Sequence, residues 1–294
     1  MIELKSNGTN LYKIKMNTSN KVWYITGASK GMGLSLVKNL LAQGHRVVAT
    51  SRKLAALKVE IDPIFQDVFL PVEVNLNDEY SIARSFEKAI EKFGKIDVVV
   101  NNAGFGTGGA LEELSTEEIA SSFDVNLFAV IRVIQKALPY LRAQQSGHII
   151  NISSIAGFAP GTGWSVYAAA KFAVSGLSEA LANDLKPLGI HVTSVSPGWF
   201  RTNFATAESI VYSEKQMNEY NYLREYHGKF NAMHGTQLGN PERVADVLVK
   251  LVESKTPPVN FFMGSDAYQR AIDKIKTLSE QITTWKSLSG STDF

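Results

Sequence analysis

Lys21 to Gly33 reads KVWYITGASKGMG. Its first half is β-branched and aromatic without polar alternation, the pattern of a strand buried on both faces, and its second half holds three glycines and opens a helical stretch. A turn that joins a strand end to a helix start presents free backbone N–H groups and the positive end of the helix dipole, a setting suited to pyrophosphate. Gly27, Gly31 and Gly33 allow tight turning and close approach of backbone to a ligand, with Ser29, Lys30 and Met32 beside them. The spacing departs from G-x-G-x-x-G, so on its own the stretch reads equally as an ordinary strand-to-helix turn.

Outward from this turn, short β-branched runs alternate with helical stretches. KVWYIT, RVVAT, FLPVEV, IDVVV, HIINI, HVTSV and VNFFM are strand candidates; Gly33 to Gln43, Asp78 to Phe93, Glu117 to Gln145, Ser165 to Lys186 and Pro241 to Glu253 carry helical spacing. Strands apolar on both faces, separated by helices, predict a doubly wound α/β fold: a Rossmann-type parallel sheet flanked by helices on both faces, in a single domain over residues 21–264. Such a sheet binds its ligand beyond the carboxyl ends of its strands. Residues 205–240 interrupt the rhythm with aromatic and polar residues and are expected as a small helical lid over a substrate pocket. Residues 1–20 show no sustained periodicity and are expected as an N-terminal extension, with Met16 a candidate start; residues 265–294 are expected as a C-terminal helical tail packed on the body.

Composition narrows the function. The chain of 294 residues is 45% hydrophobic with a formal net charge of +2 and no block of like charge, so neither nucleic acid nor an anionic membrane is indicated as a partner. Absence of Cys excludes disulfides, thiolate metal sites and cysteine nucleophiles. No apolar run reaches the roughly 18 to 20 residues that span a bilayer and no signal-peptide pattern stands at the N-terminus, so a cytoplasmic protein is expected. The five His residues show no ligand spacing, no metal site is expected, and no G-x-S-x-G elbow marks a hydrolase. Glu112, Glu113, Glu117 and Glu118 flank a helix start at Ser115, where Ser115 and Glu118 form a capping-box pattern rather than a catalytic acid.

Two further stretches speak to chemistry. After the second strand, VVATSRK places Ser51 and Arg52 where a carboxylate would receive a free ribose 2′-hydroxyl. Arg52, with Lys30 in the glycine turn, favours a 2′-phosphate and hence NADP(H) over NAD(H); the alternative is a pair of solvated surface cations. Tyr167 and Lys171, in YAAAK, share one helix face. A nearby ammonium favours a phenolate, which suits a tyrosine that exchanges protons near neutral pH; a helix with one snorkelling lysine gives the same pattern. Ser154, at the end of the strand before that helix, offers a hydroxyl to a substrate carbonyl oxygen. Asn102 to Gly104, in NNAG, and Asn126, in DVNLF, fall at the same set of strand ends and helices.

With these motifs together, the chain resembles the short-chain dehydrogenase/reductase family over Lys21 to Phe204: TGASKGMG, NNAG, Asn126, the Ser153–Ser154 pair, YAAAK and SPGWFRT occur in order. The resemblance implies Tyr167 as general acid/base, Ser154 as the residue that holds and polarises the carbonyl, Lys171 as the group that lowers the tyrosine pKa and binds the nicotinamide ribose, and Asn126 as support for a proton relay. It further implies that Asn102, Ala103 and Gly104 line the adenosine side of the cofactor, that Pro197, Gly198 and Thr202 contact its nicotinamide end, and that the chain forms a homodimer or homotetramer through the helices around 117–145 and 165–186. Where the family commonly has Asp before a hydrophobic residue, contacting adenine, this chain has Asn75 and Leu76; Asn still accepts or donates there. Ser153 is assigned to structure.

Phe105, Phe158, Trp164, Trp199, Phe200, Phe204 and Tyr212 gather near the strand ends and the lid. If they line a pocket, the substrate is a lipophilic or aromatic ketone or aldehyde; Arg201 either reaches an anionic group or points outward. The expected function is an NADP(H)-dependent oxidoreductase interconverting a carbonyl and an alcohol. An NADP(H)-binding regulatory protein without turnover, or a lyase or epimerase on the same fold, would share much of this sequence pattern.

Overall fold

The central strands of the main sheet are largely apolar on both faces because helices cover the sheet on each side. In the computed structural model, which describes residues 2–4, 12–14 and 20–294 apart from 207, the strands in chain order are β1 (Ile2–Leu4), β2 (Tyr12–Ile14), β3 (Val22–Ile25), β4 (Arg46–Ser51), β5 (Phe69–Glu73), β6 (Val98–Asn101), β7 (Gly106–Gly108), β8 (Gly147–Ile152), β9 (Ile190–Pro197), β10 (Ile210–Tyr212) and β11 (Asn260–Met263). Seven of them form a parallel sheet in the order β11-β9-β8-β6-β3-β4-β5. Successive residues alternate between two cores. Trp23, Ile25, Val47, Ala49, Val98 and Val100 face one side; Val22, Tyr24, Val48 and Val99 face the other. In β3 the Tyr24 hydroxyl bonds to Ser85 Oγ at 2.6 Å while its ring stacks on Phe86.

The helices are α1 (Gly31–Ala42), α2 (Leu54–Glu60), α3 (Glu79–Phe93), α4 (Thr116–Phe123), α5 (Ala129–Gln144), α6 (Ser165–Leu185), α7 (Asn221–Ala232), α8 (Val244–Glu253), α9 (Ser265–Thr284) and α10 (Lys286–Gly290). α1, α2 and α8 cover the Trp23 face, and α3, α5 and α6 the Tyr24 face. Helix starts follow local chemistry. Asp78 caps α3 by accepting from Tyr80 N, and Ser115 and Glu118 close a reciprocal capping box on α4. α1 differs: Lys30 offers no side-chain cap and its first turn holds no acid, which leaves that positive helix end open at the carboxyl end of β3.

Three features depart from the sequence expectations. The stretch 117–145 is not one regular helix: α4 and α5 are joined by a π-helical turn, Asp124–Phe128, with Asn126 inside it. Residues 205–240 hold more than helix, since β10 pairs in parallel with β7 before α7 begins. The tail packs only at its start. Ala267 and Ala271 join Ile155 in a small cluster with Phe158 and Phe262, whereas Ile275, Ile282 and Trp285 are exposed. At the other end, β1 and β2 pair as an antiparallel two-stranded sheet; the remainder of the expected extension, residues 1, 5–11 and 15–19, lies outside the described residues.

Candidate active site

Because the seven strands run parallel, every loop that leaves a carboxyl end opens on the same edge of the sheet. Chain order reverses between β3 and β6, where the strand order places a crevice. A cleft of about 1000 Å³ lies along this edge. Of the residues that sequence analysis singled out, Gly27, Ser29, Lys30, Gly31, Met32, Gly33, Ser51, Arg52, Asn75, Leu76, Asn102, Ala103, Gly104, Ser154, Tyr167, Lys171, Pro197, Gly198 and Thr202 all line it. Asn126 does not. It is fully buried behind Gly104, where its Nδ2 donates to Phe105 O and Ser122 O and its Oδ1 accepts from Phe105 N.

The glycine turn is held shut by its neighbour. Asn102 Nδ2 donates to Thr26 O and Gly27 O, each at 3.0 Å, and Thr26 Oγ1 accepts from Asn102 N and Ala103 N. A Cβ on Gly33 would stand 2.4 Å from Gly27 O, and one on Gly27, where φ is +64°, 2.7 Å from Ala103 Cα. Glycine is therefore required here for packing and for backbone conformation. The resulting bare backbone and uncapped α1 start suit a dinucleotide pyrophosphate.

At the end of β4, Arg52 is exposed, and the nearby carboxylate, Glu73, is turned to Leu54 N at 3.3 Å. Lys30 reaches across the cleft instead of toward Arg52: its Nζ donates to Glu208 O at 2.8 Å and stands 4.0 Å from the Glu208 carboxylate. Asn75 Oδ1 accepts from Asn77 N, which leaves its amide N–H groups for a ligand.

Tyr167 and Lys171 lie one turn apart on α6 and both are buried, at 7% and 4% exposure. Burial pushes the Tyr167 phenol up to about 12, partly opposed by its hydrogen bond with Ser154. Burial brings the Lys171 ammonium down to about 8. Its Nζ donates to Ile152 O at 3.0 Å and lies 5.9 Å from the Tyr167 ring centroid. Desolvation therefore outweighs, at Tyr167, the tuning by lysine that the spacing suggested. Ser154 Oγ accepts from Ala156 N, while Ser153 Oγ donates to Lys171 O and also bonds with Ser175 Oγ, which fixes the backbone under the lysine.

Aromatic rings wall the other end. Trp164 and Phe204 contact the Tyr167 ring at centroid distances of 6.2 and 6.1 Å. Phe105, Trp199 and Phe200 also line the cleft. Two of the expected aromatics do not: Phe158 packs against Phe262, and Tyr212 sits behind Trp164 against His227. Arg201 is exposed, with its guanidinium donating to Gln237 O.

The sequence reading missed Tyr226 and Phe230 of α7 and Met233 just after it, which line the cleft. Their i, i+4, i+7 spacing was the available signal. It also missed Glu113, whose buried carboxylate fastens α7 to the body by accepting from Met217 N, Arg224 Nη1 and Ala110 N.

The edge of a doubly wound sheet with this glycine turn and this buried Ser, Tyr and Lys group is matched by a family profile described as short chain dehydrogenase, over residues 21–210. The chain belongs to that family. It is an oxidoreductase of the short-chain type, similar to the oxidoreductase BOA17 of Botryotinia fuckeliana, with 32% identity over 92% of this chain and 98% of that protein. It is also similar to a 3-ketodihydrosphingosine reductase of Bacteroides thetaiotaomicron, with 36% identity over 82% of this chain and 86% of that one. Among solved structures, a short-chain dehydrogenase from Streptomyces avermitilis superposes with a TM-score of 0.86 at 32% identity, covering 94% of this chain and all of its own.

Proposed function

We propose that this short-chain dehydrogenase interconverts a carbonyl and an alcohol with NADP(H), on a lipophilic or aromatic ketone or aldehyde. The observation that carries the reading is the buried Tyr167, hydrogen-bonded to Ser154 and one turn from Lys171, with aromatic rings on one side and the glycine turn on the other. A nicotinamide cofactor, when bound, supplies or accepts the hydride at the carbonyl carbon. Tyr167, its phenol kept protonated by burial, gives its proton to the carbonyl oxygen in reduction and is left as the phenolate; in oxidation that phenolate takes the proton from the alcohol. Ser154 Oγ holds that oxygen next to the phenol. Lys171 supports the proton transfer from below and, with Ala103, Pro197, Gly198 and Thr202, holds the cofactor; Asn126 fixes the backbone at Gly104 and Phe105 beside it. Residues 205–240 act as the lid over the substrate.

The preference for NADP(H) rests on Arg52 beside Ser51, with the Glu73 carboxylate turned away. Charge-assisted contacts contribute about 1.5–3 kcal/mol. Arg52 is exposed, so about the lower figure applies, roughly tenfold in affinity. Calorimetric titration with NADPH and NADH tests this. NADPH should bind more tightly, and Arg52→Ala should remove most of the difference; NADH binding as tightly as NADPH to the unaltered chain would refute the preference. The relative named as a reductase of a keto compound is in keeping with a carbonyl substrate.

We also propose a cytoplasmic location and a homodimer or homotetramer through the helices around residues 117–145 and 165–186. Among the described residues no helix is long and apolar enough to cross a membrane. Phe128 and Phe172, on the proposed interface, are 45% and 42% exposed. Light scattering from the purified protein checks the assembly, and a monomeric mass would refute it.

A further inference from the structure

The substrate end of the cleft has an asymmetric charge. Lys229 of α7 and Arg270 of α9 both line it, whereas the one acidic residue among the described lining residues, Glu208, stands at the far end against Lys30. The helices that carry the two cations both contact Trp199. Trp199 N donates to Asp266 Oδ2 at 2.7 Å, and Asp266 is one turn before Arg270 on α9. The Trp199 ring meets Phe230, the neighbour of Lys229, at 5.8 Å. From there rings lead inward: Phe230 meets Trp164 at 5.2 Å, and Trp164 meets Tyr167 at 6.2 Å.

Neither cation forms a direct ion pair among the described residues. Among the described residues Lys229 forms no ion pair, and its Nζ lies 5.8 Å from the Tyr226 ring. Arg270 is half-buried; its Nη2 donates to the Ala159 carbonyl, which leaves its remaining N–H groups uncommitted among the described residues. Asp266, one turn earlier on the same helix, accepts from Trp199 N and keeps its charge, which favours the Arg270 cation without pairing with it directly. A half-buried guanidinium and an unpaired ammonium at the mouth of an apolar passage are arranged to receive an oxyanion.

We propose that Lys229 and Arg270 form an anion site at the outer end of the substrate passage, so that the preferred substrate is an amphiphile: a carbonyl that reaches Tyr167, an apolar middle against Trp164 and Phe230, and a carboxylate or similar oxyanion at the mouth. The inference rests on the carbonyl-reductase reading for the orientation of the substrate, although the anion site itself does not require turnover. It also explains why Arg201 is not needed for this task.

The test compares oxodecanoate, with a ketone near one end and a carboxylate at the other, with its primary amide. Binding of each is measured by calorimetry to the NADPH-saturated protein, so that the cofactor's own cations are occupied. The acid should bind about tenfold more tightly at low salt, and the advantage should shrink as salt screens the pair. It should fall severalfold in Lys229→Gln, an exposed position that does not threaten folding, and vanish in the Lys229→Gln/Arg270→Gln double variant. Equal binding of acid and amide, binding of neither, or an advantage that survives the double variant would each overturn the anion site. Consumption of NADPH with either ketone reports separately on the carbonyl-reductase reading. Reduction of both ketones with equal affinity sinks only the anion site, and a salt-dependent preference for the acid without turnover sinks only the reductase reading.

Discussion

Glu113 tethers the segment that carries α7 to the body, and its removal has a calculable effect. Its carboxylate, 3% exposed, accepts from Met217 N at 2.7 Å, Arg224 Nη1 at 2.8 Å and Ala110 N at 3.2 Å. Burial alone would raise its pKa, but the hydrogen bonds from Met217, Arg224 and Ala110 outweigh burial and hold it below the ordinary carboxylate value. A depressed folded-state pKa means stability that is present above the unfolded pKa and lost as pH falls through the folded one, so the clamp is intact at neutral pH. Breaking a buried ion pair costs about 3–5 kcal/mol. The Arg224 side chain is 28% exposed and keeps its bonds to Asn221 and Met217 O, so Glu113→Ala should cost about the lower figure.

A loss of about 3 kcal/mol borne by local opening corresponds to roughly a hundredfold faster amide exchange in the affected segment. Hydrogen exchange of residues 217–232, followed by mass spectrometry, is the assay. Protection there should fall by about two orders of magnitude while the α3 and α5 amides stay protected, and KM for the carbonyl substrate should rise with little change in NADPH affinity. Unchanged exchange over 217–232 would refute the reasoning, because it would mean that ring packing alone holds the segment.

Two other variants probe the site itself. Gly33→Ala should weaken NADPH binding by more than tenfold and destabilise by about 1–3 kcal/mol, since its Cβ has a backbone oxygen 2.4 Å away that cannot yield; Gly228→Ala on α7, with nothing within 4 Å, should leave binding unchanged. Calorimetry and thermal melts on both distinguish a packed turn from a tolerant one. Burial of Lys171 sets a pH dependence. Its pKa falls from 10.5 to about 8, so between those values the unfolded lysine holds a proton that the folded one has lost, and its contribution is present above 10.5 and lost as pH falls to 8. That separation corresponds to about 3 kcal/mol against the folded state at neutral pH. Lys171→Met should therefore be the more stable protein near pH 7 and lose that advantage by about pH 10, where the unpaired Ile152 carbonyl tells against it; melting curves with the same offset at both pH values would contradict the burial effect.

Much of the fold was legible because the central strands are largely apolar on both faces, and runs such as VWYI and VVVN suit a parallel sheet covered on both sides. The cleft lining was legible for a related reason: in a parallel sheet the residues after each strand share one edge, so short motifs scattered along the chain converge. What escaped detection depends on tertiary context. Nothing in DVNLF announces a π-helical turn, because the extra residue is accommodated where Asn126 engages Phe105 and Ser122. Glu113 read as part of a helix start, since its partner Arg224 is far away in the chain. Lys30 read as a neighbour of Arg52, whereas the fold brings Glu208 to it. The expected lowering of the Tyr167 pKa failed to account for desolvation, which a sequence pattern does not carry.

The most direct test of the central claim is single-turnover reduction of a lipophilic aryl ketone, followed by the loss of NADPH absorbance, in the unaltered protein and in Tyr167→Phe. The account predicts that the variant binds NADPH within about twofold of the original and keeps its fold, while the rate of hydride transfer falls on the order of a hundredfold to ten-thousandfold, the contribution of a positioned proton donor. A Tyr167→Phe protein that reduces the ketone within tenfold of the original rate would contradict the assignment of the proton to Tyr167 and, with it, the mechanism built on this cleft.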